Sequence, residues 1–327
     1  MAETLPTPNA IPVVGTNLET RGKLMKKVLF ASTALVAFAG AAAAEVTVTG
    51  NAEMGIVGGD AFAADPQFHT DIDVTFTMSG ATDSGVTFGA TVDLDENGAF
   101  ANTTQGGETI FISGGFGTLT MGDTDGAFDW ALTEVAFNSG SINDDETSHA
   151  GYNGNAGLDG TYDGQIARYD YTIGSFGFAL SAEIDDTDVG DPVLGIGFKY
   201  DLDLGGTTVG IGLGYQETDT GAADVDVIGV SLNASFGAVT AGINYSEAEA
   251  AGVDVEHFGI GVGYASGPIS LSANYGQFDT PVGDLEGFGL TAGYDLGGGA
   301  VLQAGYGNSD VLGVDADTYS LGLRLNF

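Results

Sequence analysis

Seven tyrosines in the second half of the sequence each end a segment in which apolar residues alternate with small or polar ones. The alternation is clear in residues 194–200, 209–215 and 258–264. A period of two gives a β-strand one apolar face and one polar face. Repeated with an aromatic residue at one end, it predicts a transmembrane β-barrel. The seven residues are Tyr200, Tyr215, Tyr245, Tyr264, Tyr275, Tyr294 and Tyr306.

The alternating pattern divides the chain after residue 44 into sixteen predicted strands. Short turns rich in Gly and Asp are expected at one end, and longer acidic loops, including 185–191, 217–226 and 247–254, at the other. An even strand count lets both termini lie on the periplasmic side. The predicted strands are 45–57, 70–79, 85–94, 108–114, 117–122, 165–173, 175–184, 192–201, 207–216, 224–235, 238–246, 254–265, 268–277, 286–294, 300–309 and 317–327. We therefore predict an all-β domain over 45–327, a 16-stranded antiparallel transmembrane β-barrel.

The N-terminus has the form of a secretory signal peptide. Basic residues follow Met25, an apolar stretch covers 28–40, and three alanines precede Glu45. This order matches the n-region, h-region and cleavage site of an exported protein. Residues 1–44 are therefore predicted to be an N-terminal extension and cleaved signal peptide, with Met25 as the better start.

Acidic residues dominate the charge of the predicted mature chain. The full sequence has 7 Lys and Arg against 45 Asp and Glu. Removing residues 1–44 takes away four of the bases and two of the acids, so that Arg168, Lys199 and Arg324 remain against 43 acids. Such a chain is not expected to bind nucleic acid, whose phosphates need basic partners. It is expected to attract cations.

One predicted connection, residues 123–164, is much longer than the others. A structureless segment of about forty residues in a compact fold is usually functional. Its close carboxylates 144–146 repel one another, so Asp144, Asp145 and Glu146 are candidate ligands for a structural Ca²⁺ ion. The acids of this connection are Asp125, Asp129, Glu134, Asp144, Asp145 and Glu146.

Three stretches of the sequence resemble general diffusion porins of alphaproteobacteria, of the Rhodobacter type. They are the mature start at 45–55, the segment 76–90 and the segment 117–123. The resemblance implies a 16-stranded barrel in the Gram-negative outer membrane, a homotrimer and passive diffusion of small hydrophilic solutes and ions. It also implies that residues 123–164 fold inward as the constriction loop, with the six acids above at the pore constriction.

The sequence departs from the porin pattern in its basic residues. Porins of this type usually place a cluster of bases across the pore from the loop acids. Here Arg168, Lys199 and Arg324 are predicted to face the lumen from three separate strands, too few for a dense cluster. The predicted lumen acids are Glu53, Asp71, Asp73, Asp93, Asp170 and Glu183. A cation-selective pore is therefore expected, with acidic external loops that contact lipopolysaccharide phosphates through divalent cations.

The sequence favours a porin over three other functions. An outer-membrane enzyme needs a nucleophile and a base held together, but His69, His149 and His257 lie in no such motif. A secreted calcium-binding adhesin needs Gly-Asp nonapeptide repeats, which do not recur here. A substrate-specific outer-membrane channel is the closest alternative. No catalytic residue is predicted.

Overall fold

The computed structural model describes residues 44–60, 66–96, 103–142, 144, 146–185 and 189–327. Two sequence predictions lie outside these residues, the signal peptide and the side chain of Asp145.

Sixteen strands close into one antiparallel barrel in the described part of the chain. Each strand pairs with its neighbours in sequence, and β1 closes the barrel by pairing with β16. The strands are β1 Glu45–Gly58, β2 Gln67–Ala81, β3 Thr87–Glu96, β4 Thr103–Gly114, β5 Gly117–Asp123, β6 Gln165–Ile173, β7 Phe176–Glu183, β8 Val193–Asp203, β9 Thr207–Asp219, β10 Asp224–Phe236, β11 Val239–Ala250, β12 Val253–Ser266, β13 Ile269–Thr280, β14 Gly283–Gly297, β15 Ala300–Val311 and β16 Val314–Asn326. The predicted 16-stranded antiparallel barrel is confirmed.

A short helix, α1, covers Ala127–Ala131 in the connection between β5 and β6. No helix in the described ranges is both long and apolar enough to cross a membrane.

The two faces of the barrel wall differ in polarity and in exposure. On β9, the side chains of Ile211 and Leu213 are 46% and 47% exposed, whereas Gln216 on the other face is fully buried. The same inversion recurs along β10 to β16, where buried Ser, Asn, Gln and Thr alternate with exposed Val, Ile, Leu and Phe. A continuous exposed apolar surface of this size is unstable in water and stable in lipid. The polar face therefore lines the inside of the barrel.

Both ends of the described barrel chain lie at the end of the barrel that carries the turns after the even-numbered strands β2 to β14, called the short-turn end. Glu45 pairs with Ser79, just before the β2–β3 turn, and the amide of Phe327 donates to the carbonyl of Gly50 at 2.9 Å. The tight turns on this side use glycines with positive φ, such as Gly237 at 57° and Gly267 at 57°. Only glycine adopts this conformation without steric strain.

The predicted long acidic loops at 217–226 and 247–254 are wrong. Strands β9 to β12 run through most of both segments, and the connections shrink to 220–223 and 251–252. The outward positions there are acids such as Glu217 and Glu247 rather than apolar residues. The strands thus continue past the apolar band, where the outer face no longer needs apolar side chains, and the hydrophobic period that revealed them disappears.

Candidate functional site

The long β5–β6 connection, residues 124–164, lies against the polar face of the barrel. It leaves at Asp123 and returns at Gln165, which are cross-strand neighbours. Helix α1 packs against β6, β7, β8 and β9. Further along, Val135 reaches Gly261 of β12, and Ile142 reaches Gly55 of β1 and Gly322 of β16. This connection, called the inner loop below, therefore follows the inner wall through most of its circumference.

Glycines on the inner face let the backbone of the inner loop approach the backbone of the wall. A methyl group at Gly197 would collide with the carbonyl oxygen of Ala127, and one at Gly261 with that of Val135. Equivalent collisions would occur at Gly212, Gly276 and Gly289. Glycine permits close backbone approach because it has no side chain. These wall glycines are called the glycine track.

Polar side chains of the wall hydrogen-bond to the backbone of the inner loop. Ser181 accepts from the amide of Ala127 at 2.8 Å, and Ser231 accepts from that of Thr133 at 2.9 Å. Asn274 donates to the carbonyl of Thr147 at 2.9 Å. Similar bonds come from Gln216, Ser272 and Ser309. A loop without regular structure needs such partners for its buried backbone groups.

Two of the three predicted pore bases contact the first part of the inner loop. Arg168 on β6 donates to the carbonyl oxygen of Asp125 at 2.6 Å and lies 3.4 Å from the carboxylate of Asp170. The ammonium of Lys199 on β8 lies 4.2 Å from the ring centroid of Trp130 in α1, a cation–π distance. These bases are therefore beside the loop acids and not across the pore from them.

Arg324, the third predicted base, is paired with an acid on the adjoining strand. Its guanidinium contacts the carboxylate of Glu53 on β1 at 2.5 Å. Glu53 is itself buried, with His69 at 3.9 Å. The positive charge of Arg324 is therefore largely balanced by its neighbour.

The loop acids Asp125 and Asp129 are partly buried near the two wall bases. Burial raises the pKa of Asp125, while Arg168 and Lys199 oppose that rise. Burial, followed by the negative charge of Asp125, holds the pKa of Asp129 well above its ordinary value. Burial thus disfavours the charged form of Asp129. Glu134 accepts a hydrogen bond from Tyr152 within the loop.

One of the predicted calcium ligands, Glu146, does not face the lumen. Glu146 is fully buried against Gly305 and Gly307 of β15 and accepts a hydrogen bond from Ser141. Asp144 is partly exposed with a positive φ of 52°, and Asp145 lies outside the described residues. A different group of three acids meets on the lumen face, where carboxylate oxygens of Asp71, Asp73 and Asp95 lie within 4.8 Å of one another.

Asp159, which the sequence analysis did not select, joins the two arms of the inner loop. The outgoing arm leaves β5 and includes Gly126 and α1, and the returning arm, which includes Asp159, leads into β6. The carboxylate of Asp159 accepts from the amide of Gly126 and from Gln216 of β9, each at 2.6 Å. Burial raises the pKa of Asp159 to about 7, although both hydrogen bonds oppose that rise. No local pattern in the sequence marks Asp159, because its partners are distant in sequence.

Comparisons with known proteins agree with this architecture. The model of the Gram-negative porin family matches residues 31–313. A porin of Rhodobacter capsulatus is 30% identical over 215 residues, which cover 59% of this chain and 64% of that porin's length.

Solved porin structures extend the similarity to nearly the whole barrel. One aligns with 86% of this chain and 100% of its own at 26% identity, with a TM-score of 0.68. A mutant of the Rh. blastica porin, 23% identical with a TM-score of 0.64 and the same coverage, shares the fold. The family match, the closed barrel and its polar inner face lead to one conclusion: the chain belongs to the Gram-negative porin family.

Proposed function

We propose that the protein is an outer-membrane porin that lets small hydrophilic solutes and ions diffuse passively through a water-filled pore. The observation that carries this proposal is the polar inner face of the closed barrel, with the inner loop fixed along it. A barrel of this strand number is wide enough to enclose an aqueous channel. In this proposal, residues 123–164 form the constriction that sets the exclusion size.

The charges of the inner face favour cations in the proposed pore. Arg168 and Arg324 each contact a carboxylate, and Lys199 stacks on Trp130. Unpaired positive charge is therefore scarce, while Asp71, Asp73 and other acids face the lumen. Within a narrow pore such charges are poorly screened by salt and attract cations. The preferred charge of permeating ions should therefore be positive.

The outer face supports assembly of the proposed porin as a homotrimer. The sequence contains no Tyr or Trp before Trp130, so strands β1 to β5 lack the interfacial aromatics of the later strands. Tyr264 and Tyr294, by contrast, are exposed near the short-turn end of β12 and β14. Tyr and Trp mark membrane–water interfaces. Their absence from one sector of an apolar wall fits a sector covered by other copies of the chain.

Lipopolysaccharide is the proposed lipid partner, held through divalent cations. Outward-facing acids on β9 to β16 lie directly opposite one another, as in the pairs Glu247–Glu256 and Asp279–Asp284. Like charges in this arrangement are destabilising and would repel lipid phosphates. Divalent cations between carboxylates and phosphates would relieve both the repulsion among the acids and the repulsion of the phosphates. These acids, called the acidic belt, then lie at the external end, which puts both termini in the periplasm.

Swelling of proteoliposomes tests the proposed function and separates it from a substrate-specific channel. Liposomes containing the purified protein are diluted into isotonic solutions of uncharged sugars of increasing size. A porin gives swelling rates that fall smoothly with solute size, whatever the stereochemistry of the sugar. Rates that differ strongly between sugars of equal size would favour the substrate-specific channel. Absence of swelling with correctly folded protein would exclude both.

A further inference from the structure

The carboxylate of Glu183, at the end of β7, accepts hydrogen bonds from three backbone amides in the returning arm of the inner loop. Its Oε2 accepts from Gly160 at 3.0 Å, and its Oε1 accepts from Tyr162 at 3.1 Å and Gly164 at 2.7 Å. The side chain is only 2% exposed. It is thus a fully satisfied carboxylate within the wall and not a charge lining open water.

The backbone of the returning arm is shaped to receive this carboxylate. Gly160 and Gly164 have positive φ values of 77° and 78°, which turn alternate amides toward one point. Successive amides that converge in this way form an anion-binding nest. Hydrogen bonds from amides to a charged acceptor are among the stronger ones in proteins. The one acidic side chain of the nest, Asp163, accepts from the amide of Gln165 at 3.0 Å instead, so the wall supplies the anion.

The returning arm is also hydrogen-bonded to the outgoing arm. Asp159, next to the nest, accepts from the amide of Gly126 immediately before helix α1. Any side chain at Gly126 would collide with that carboxylate. Displacing residues 159–164 would therefore remove one of the two hydrogen bonds that hold the N-terminal end of α1, the other being that of Ala127 to Ser181.

We propose that Glu183 is a positioning residue for permeation: it fixes the returning arm of the inner loop and, through Asp159, helix α1, and thereby sets the aperture of the pore. The inference about the aperture rests on the proposed porin function. The inference that Glu183 anchors the loop is independent of transport.

Glu183→Gln tests the anchor because the carboxamide keeps the size of the side chain but has one acceptor oxygen. At least one of the three amides then faces an N–H group or has no acceptor. Amide hydrogen exchange of the full protein in detergent should become at least about tenfold faster over 158–164, since a buried amide without a partner opens readily. Single-channel currents should become noisier at unchanged salt and pH.

Two further variants make the test specific. Gly160→Ala strains the nest from the loop side and should accelerate exchange over the same residues. Asp203→Asn removes one exposed carboxylate beside the β8–β9 turn, where it accepts from the amide of Gly205 at 2.8 Å, and it should leave both exchange over 158–164 and current noise unchanged. Unchanged exchange over 253–266 of β12 verifies that each barrel is folded.

The two measurements test the two parts of the proposal separately. If Glu183→Gln and Gly160→Ala retain wild-type exchange over 158–164, the anchor is refuted. If exchange accelerates but current noise and mean conductance equal those of the wild type, the role in setting the aperture is refuted. If the folded wild-type protein conducts no ions, the porin function fails, while the exchange result still decides the anchor.

Discussion

At the scale of single residues, the inner face uses side chains that a transmembrane barrel normally leaves in water. Gln216, Asn244, Ser272 and Asn274 are nearly or fully buried because the inner loop covers them. Buried polar groups of this kind cost stability unless they are hydrogen-bonded. Most of them bond to the loop, so these residues specify where it lies as well as stabilising it.

His149 of the inner loop is buried over Gly287 of β14 and should make loop attachment sensitive to acid. Neither ring nitrogen has a hydrogen-bond partner among the described residues. Burial, followed by the nearby His257, lowers the pKa of His149 from 6.5 to about 4. Between these values a released loop binds a proton that the attached loop does not, so attachment weakens as pH falls from about 6.5 to 4.

The variant His149→Leu isolates this effect from the titration of nearby acids, among them Glu134 and Glu146. Current noise in wild-type channels should rise steadily as pH falls through this window, and the rise should be markedly smaller in His149→Leu. Each unit of pKa shift corresponds to about a tenfold change in the released population. Identical pH profiles in the two proteins would show that His149 does not couple to the loop.

The glycine track predicts that one added methyl group displaces the inner loop. In Gly261→Ala the new Cβ meets the carbonyl of Val135, so backbone must move, at a cost of about 1–3 kcal/mol. Gly154→Ala is the matched control, because that position has open space around it. Conductance should change in Gly261→Ala and not in Gly154→Ala. Equal conductance in both would place the loop away from β12.

At the scale of elements, sequence periodicity predicted the strands wherever their outer face meets lipid. It failed where strands rise above the apolar band, as at Glu217 and Glu247, because acids replace the apolar residues there. It also placed the start of β4 at 108 instead of Thr103. Phe111 points inward onto Gly89, which disturbs the alternation beside Ile110 and Ile112.

The candidate site was less predictable than the barrel because its contacts join residues distant in sequence. Composition identified Arg168, Lys199 and Arg324 as the bases facing the lumen, and the structure places the first two against the loop. No local sequence pattern distinguished Asp159 from other acids, and none indicated that Glu183 would anchor the loop. Glu146 seemed available to a cation, but the path of the loop turns it toward the wall.

Helix α1 and the residues after it should govern the width of the pore. Deleting 129–137 removes the Trp130 contact with Lys199 and the Val135 contact with Gly261. We expect higher single-channel conductance and permeation of larger sugars, since less of the loop occupies the lumen. Thermal unfolding of the barrel verifies folding. Unchanged conductance in a folded deletion variant would show that this segment does not narrow the pore.

At the scale of the whole molecule, the acidic belt predicts that stability depends on divalent cations when lipopolysaccharide is present. EDTA should lower the Tm of the assembled protein by at least about 2 °C, since a ligand that binds only the native state stabilises it. The loss should shrink when Glu247, Glu249, Asp254 and Glu256 are replaced together by their amides. A Tm unaffected by EDTA would refute the divalent contacts and leave the pore proposal intact.

The charge of the whole lumen makes the central claim measurable in one experiment. Residues 45–327 contain three bases against 43 acids, and Arg168 and Arg324 are already paired with carboxylates. Purified protein in a planar bilayer is placed in a KCl gradient at pH 7, and the reversal potential is read from single channels. The account predicts stepwise conductance with a reversal potential of the sign for K⁺ preference. Folded protein that forms no channels, or channels that prefer Cl⁻, would contradict it.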